Sequence, residues 1–260
     1  MTGRSTRRSG GREARRISRE VNIEQVRPFI ERKIPYYELL DDAGLELIEK
    51  NADTVLEQIG IDFKEFPQAL ALFKAAGADV QGDRVRFPRG MCRSIIQDSA
   101  PAEYVQHARN PERSVTIGGD RMVLAPAYGS PFIRDLDGER RYATIEDFRN
   151  LVKLAYMSPG LHHSGGTVCE PVDVPVNKRH FDMIYSHIKY SDKPFMGSVT
   201  SAERAQDTVD MVKLVFGEEF IQSNTVLTSL INVNSPMTFD ATMLGAATVY
   251  AENNQATLIS

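Results

Sequence analysis

Apolar residues between positions 38 and 59 fall at Leu39, Leu40, Leu45, Leu47, Ile48, Ala52, Val55, Leu56 and Ile59. That spacing predicts an amphipathic helix, capped at Asp41 or Asp42 and ended by Gly60. A second helix is predicted over 67–76, with Pro67 in its first turn and Gly77 at its end. Residues 83–87 alternate and predict a short strand. Residues 88–99 predict a third helix, stopped by Pro101. Residues 37–101 therefore read as a helical cap subdomain. Beyond them the period shortens. β-like runs at 104–108, 114–117, 122–126 and 132–134 are divided by the turn sequences NPER, GGD and AYGSP. Residues 102–143 read as β-hairpins.

From Thr144 the pattern is regular. Thr144 caps a predicted helix to about Met157. Strands are then predicted at 161–167, 194–199, 226–233 and 256–260. Helices alternate with them at 176–190, from Ser201 to 216, and 238–253. Units of roughly 30 residues in this order signal an α/β fold with a parallel sheet and crossover helices. An open doubly wound sheet and a closed (β/α)8 barrel share that order. Polar residues gather at the predicted C-terminal strand ends: His162, His163 and Ser164, then Ser198, then Asn232, Asn234 and Ser235. In a barrel those ends form the active mouth. Neither GxGxxG nor GxxxxGK follows the first of these strands, which weakens a nucleotide-binding reading. A closed barrel needs eight units, and about four precede the end of the sequence inside an apolar run. The expectation is that 144–260 form the first half of a barrel in a longer protein.

Hydrophobic residues make up 42% of the chain and charged residues 25%, as in an ordinary soluble globular protein. The net charge of −4 offers no electrostatic case for nucleic acid or a membrane surface. No apolar run reaches the ~18–20 residues of a membrane span. Cys92 and Cys169 show no metal or redox spacing and suit a reducing cytoplasm. Residues 1–36 are a basic arm and extended lead-in. The arm carries Arg4, Arg7, Arg8, Arg12, Arg15, Arg16 and Arg19, and reads as solvated or as docked to an acidic partner.

The densest chemistry lies in residues 161–175, LHHSGGTVCEPVDVP. His162 and His163 are adjacent on a predicted strand and should point to opposite faces, so they are poor co-ligands for one metal. Cys169, His163, Glu170 and His180 match no standard zinc spacing. No third group completes a Cys169–His nucleophile. The Gly165-Gly166 pair permits either close approach to the backbone or a tight turn.

Several long strings carry a family resemblance: RRSGGREARR, IPYYELLDDAGLELIEKNAD, APAYGSPFIRDLDGERRYATIEDF, HHSGGTVCEPVDVP and INVNSPMTFD. The chain resembles the MttB-like family, named for the trimethylamine:corrinoid methyltransferase. The resemblance implies a (β/α)8 TIM-type barrel of about twice this length. It implies transfer of a methyl group from a methylated amine to the cobalt of a separate corrinoid protein, with no bound metal of its own. Some members use pyrrolysine, at a position that would lie beyond Ser260. Members without it look like demethylases of quaternary amines such as glycine betaine, proline betaine or carnitine, and this sequence leans that way. A homo-oligomer is expected at full length.

A quaternary amine is a permanent cation, which aromatic faces and carboxylates suit. Tyr128, Phe132, Tyr142 and Glu170 are the candidates, against hairpin packing for the aromatics and a loop or capping role for Glu170. His163, Ser198, Asn232 and Asn234 complete the expected substrate-binding set. The plain alternative for the two asparagines, with Ser235, is to cap a helix at Thr238. Other classes remain: a truncated product with no catalytic role that retains partner binding, or a metal-dependent barrel hydrolase or lyase.

Overall fold

The computed structural model describes residues 28–259, and the basic arm lies outside them. The order is β1 (Ile30–Glu31), α1 (Asp42–Gln58), β2 (Ile61–Lys64), α2 (Pro67–Ala76), β3 (Asp79–Gln81), β4 (Arg84–Arg86) and α3 (Met91–Ser99). Then come β5 (Glu103–Gln106), β6 (Val115–Gly118), β7 (Arg121–Met122), β8 (Phe132–Arg134) and β9 (Arg140–Tyr142). The last part holds α4 (Ile145–Met157), α5 (Arg179–Tyr190), β10 (Phe195–Met196), α6 (Ala202–Phe216) and α7 (Glu218–Ser223). It closes with β11 (Leu227–Ile231), β12 (Thr238–Asp240), α8 (Ala241–Glu252) and β13 (Ala256–Ile259).

Local signals set most helix ends. Asp41 Oδ1 accepts from Gly44 N at 2.8 Å and starts α1. Gly60 follows at φ +77, and a Cβ there would collide with the Val85 carbonyl. Thr144 and Asp147 form a capping box at α4, and Arg141 holds both Asp147 oxygens, at 2.6 and 2.9 Å. The opposite end of α4 is tied by a distant residue. Lys193 Nζ donates to the carbonyls of Ala155 (2.8 Å), Ser158 (3.0 Å) and Leu161 (2.7 Å), matching a cation to a helix C-terminus.

Residues 37–101 are not purely helical. Strands β2, β4 and β3 are flanked by α1, α2 and α3 around Phe63, Val85 and Phe87. The fourth strand of that sheet is β12, paired in parallel with β2, and Phe239 stacks on Phe63 at 5.7 Å. The predicted helix start at Thr238 is therefore a strand. Helix α8 begins at Ala241 and is capped by Asp240, whose Oδ1 accepts from Thr242 N (2.9 Å) and Met243 N (3.3 Å).

Strands β10, β11 and β13 are parallel and lie in sequence order. Residues 161–167 run beside β10 through Ser164 N to Pro194 O and Met196 N to Gly165 O, both 2.8 Å. They do not form the regular strand that was predicted, because Gly165 at φ +86 breaks the ladder. The α/β architecture is as expected, and no closed barrel is seen among the described residues. Helices α5, α6 and α8 cover one face of this sheet around Phe195, Val209, Leu227 and Tyr250.

The antiparallel sheet β1-β7-β6-β5 meets the parallel one at its N-terminal end. Gln106 is the joint. Its Nε2 donates to Phe195 O (2.9 Å) and Val226 O (3.1 Å), at the starts of β10 and β11. Its Oε1 accepts from Thr228 Oγ1 at 2.9 Å and lies 3.1 Å from His163 Nε2.

Candidate functional site

A cleft of about 540 Å³, counting its open mouth, lies at the C-terminal end of β10. Gly166, Met196 and Ser198 form its floor. Helix α5 supplies one wall with Arg179, His180, Met183 and His187. Thr200 and Arg204, at the start of α6, face it, and Tyr128 reaches over from the hairpin region. Ser201 sets the α6 start, its hydroxyl accepting from Arg204 N at 3.2 Å.

Glycine explains how Tyr128 gets there. A Cβ on Gly166 would sit 2.6 Å from Tyr128 Cε2 and 2.9 Å from Met196 Cβ. Only a residue without a side chain allows that approach. The Tyr128 loop is pinned by Gly129 N donating to Thr167 O at 2.7 Å. The close backbone approach anticipated at Gly165-Gly166 is thus filled by this chain's own ring.

Three of the anticipated residues, Tyr128, Glu170 and Ser198, meet in the cleft. Glu170 Oε1 pairs with Arg179 Nη1, whose other nitrogens are held by Val174 O. Ser198 Oγ lies 3.4 Å from Thr200 Oγ1.

The remaining four do not line it. Phe132 packs on Tyr142 with centroids 4.7 Å apart, and Arg140 covers the Phe132 ring at 3.9 Å. Its aromatic face is taken by a cation already. Asn234 is committed to the α8 cap: its Nδ2 donates to Asp240 Oδ2 at 2.7 Å, and its Oδ1 accepts from Asp240 N at 3.3 Å. Asn232 follows β11, half-buried and outside the cleft.

His163 sits at the opposite end of the sheet, against Gln106, and is 2% exposed. Its Nδ1 accepts from Gly165 N at 2.9 Å, so Nε2 carries the proton and donates to Gln106. Burial, with the like charge of His187 second, pushes its pKa down to about 3. It is a neutral structural residue. His162 is also buried and clamps the segment that follows β7, its Nδ1 accepting from Leu124 N at 2.9 Å.

Two histidines on α5 were not singled out as site residues in the sequence. His187 Nε2 donates to Gly166 O (2.8 Å), so its Nδ1 accepts from Ser164 Oγ (2.7 Å). Burial holds its pKa down to about 4. It anchors the cleft floor as a neutral ring. His180 Nε2 contacts Asp207 Oδ2 at 2.7 Å, and its buried Nδ1 has no hydrogen-bond partner among the described residues. In the sequence the pair shows plain helix spacing, and His180 enters only as a member of the zinc set whose spacing matches no standard pattern.

Cys169 is fully buried, and burial, with Asp147 and Glu170 adding, pushes its thiol up to about 12. It is a core thiol, not a nucleophile. Among the described residues no three His, Cys, Asp or Glu side chains converge on one point, and no helix is long and apolar enough to cross a membrane.

Residues 7–260 match a family model described as trimethylamine methyltransferase. The chain is 46% identical over 228 residues to a glycine betaine methyltransferase of Desulfitobacterium hafniense (strain Y51). That match covers 87% of this chain and 47% of the relative. The chain thus spans about half the length of the curated relative it matches.

Proposed function

The chain belongs to the trimethylamine methyltransferase family, and from that premise we propose that it acts in moving a methyl group from a methylated amine to a corrinoid carried by a separate protein. Glycine betaine is the first candidate donor, after the name of the relative. A cleft joining an aromatic ring, a carboxylate and thioether side chains at a parallel strand end carries the reading. The (β/α)8 barrel belongs to the same proposal, supported by parallel strands in sequence order.

A quaternary ammonium has no lone pair, so losing a methyl group needs no general base in this chain. What the site must do is hold and orient the donor. The Tyr128 ring and the Glu170 carboxylate would face the cationic end. Arg179 fixes Glu170 from one side, which orients the carboxylate at some cost to its negative charge. Met183 and Met196 give the methyl groups apolar surroundings.

The corrinoid, when present, supplies a strongly nucleophilic cobalt. The space enclosed by α5, the start of α6 and Tyr128 suits a small amino-acid derivative and not a corrinoid macrocycle. The acceptor is accordingly read as a second substrate brought by a partner, and no residue here is assigned to hold it.

The test is methyl transfer with the cognate corrinoid protein kept reduced. Dimethylglycine should appear together with methylated corrinoid. Demethylation without any corrinoid, or no turnover of either glycine betaine or trimethylamine, would refute the proposal.

A further inference from the structure

The cleft carries more positive than negative charge. Of its two arginines, Arg179 is neutralised by Glu170. Arg204 is held differently. Its Nη1 donates to Thr200 Oγ1 at 2.8 Å and its Nη2 to the Val176 carbonyl at 3.1 Å. Both partners are neutral, and among the described residues no carboxylate pairs with it. A guanidinium has five N–H donors, and these contacts leave several unused. The side chain is half-buried and oriented by its two bonds, so its remaining donors are preorganised. It also lies in the first turn of α6, where the helix dipole adds positive potential.

A second observation points the same way. Asp207, one turn along α6 from Arg204, is committed to His180 Nε2 at 2.7 Å on the opposite wall of the cleft, so it does not neutralise the guanidinium.

We infer that Arg204 forms a carboxylate-binding pole that selects methylated amino acids over methylated amines lacking an acid group. This rests on the methylated-amine reading above and adds the feature that determines specificity. Glu170 and Tyr128 would take the cationic end of the zwitterion, and Arg204 the anionic end. Trimethylamine and choline would leave the guanidinium unpaired. An apolar cleft alone discriminates weakly, whereas a site built to pair a charged group rejects a ligand that lacks it.

Titration calorimetry without any corrinoid tests this, because it reads binding alone. On the unaltered protein, glycine betaine should bind about 10- to 100-fold more tightly than choline, the range for a charge-assisted contact. 3,3-Dimethylbutyrate, which keeps the carboxylate and replaces the ammonium nitrogen by carbon, should compete for the same site. In Arg204→Met the preference should shrink to within about threefold through weaker betaine binding, with choline unchanged. Arg204→Lys should retain part of it, since the charge survives without the forked geometry. Equal binding of betaine and choline by the unaltered protein would overturn the inference and leave the methylated-amine reading standing. So would a folded Arg204→Met variant that keeps the full preference. Failure of every methylated amine to bind would overturn both.

Discussion

Two buried neutral histidines make acid stability a direct test of this packing. His163 and His187 are 2% and 1% exposed, with ring nitrogens bonded to Gln106, Gly165, Gly166 and Ser164. Burial lowers their pKa values from 6.5 to about 3 and about 4. In the unfolded chain both rings take up a proton below about pH 6.5, while in the folded protein they stay neutral until far lower pH. Stability is therefore full above that point and falls as pH drops toward the folded-state values. At about pH 5 each ring contributes a loss of about 1.5 pKa units times 1.36 kcal/mol, or about 2 kcal/mol, giving about 4 kcal/mol together. A typical domain has only about 5–15 kcal/mol to lose. Urea unfolding at about pH 7 and about pH 5 should show the midpoint falling by roughly 1.3–2 M, for a slope of about 2–3 kcal/mol/M. Ring-proton NMR should show His163 and His187 failing to titrate near pH 6.5. A stability change below about 1 kcal/mol over that range, or these two rings titrating near 6.5, would refute the assignment of both rings as buried and neutral.

Gln106→Leu removes four buried hydrogen bonds and leaves His163 Nε2–H and two carbonyls without that partner. It should cost about 3–5 kcal/mol by denaturant unfolding, and a loss below about 1 kcal/mol would contradict the role of Gln106 as the joint between sheets. Gly166→Ala should displace Tyr128 while the fold survives, raising KM for the amine on the order of tenfold with unchanged circular dichroism. Asp147→Asn should lower stability by about 1–2 kcal/mol through loss of the α4 cap and the Arg141 pair. Arg141, ahead of the Thr144 bonds, holds the Asp147 carboxyl well below the usual range. Its contribution is present above the ordinary carboxylate pKa and is lost as pH falls through the folded value, so the variant should show a shallower acid limb below about pH 4.

What could be read in advance was local. The helix over Pro67–Ala76 and its Gly77 cap, the Asp41, Thr144 and Ser201 caps, and the β8 strand depend on neighbours a few residues away. Strands β2, β3 and β12 escaped because an alternation of three or four residues is too short to stand out from a turn or a helix end. Their identity comes from pairing partners, with β12 meeting β2 across more than 170 positions of sequence. His163 was misplaced for a related reason. The sequence predicts a complete strand over 161–167 with its polar end at the mouth, but the chain kinks at Gly165, and His163 falls level with the base of β10.

The family, the α/β order and the helix termini belong to the sequence by itself, because hydrophobic period, capping chemistry and long matching strings are properties of neighbouring residues. The cleft belongs to the tertiary structure. Tyr128, Glu170 and Ser198 meet there with Arg179, His180 and Arg204 only because Gly166 lets a ring cross the backbone and two helices pack on one strand end. Which charges are neutralised also depends on that packing. Arg179 finds Glu170, Arg204 finds no carboxylate among the described residues, and no spacing rule in one dimension distinguishes the two arginines.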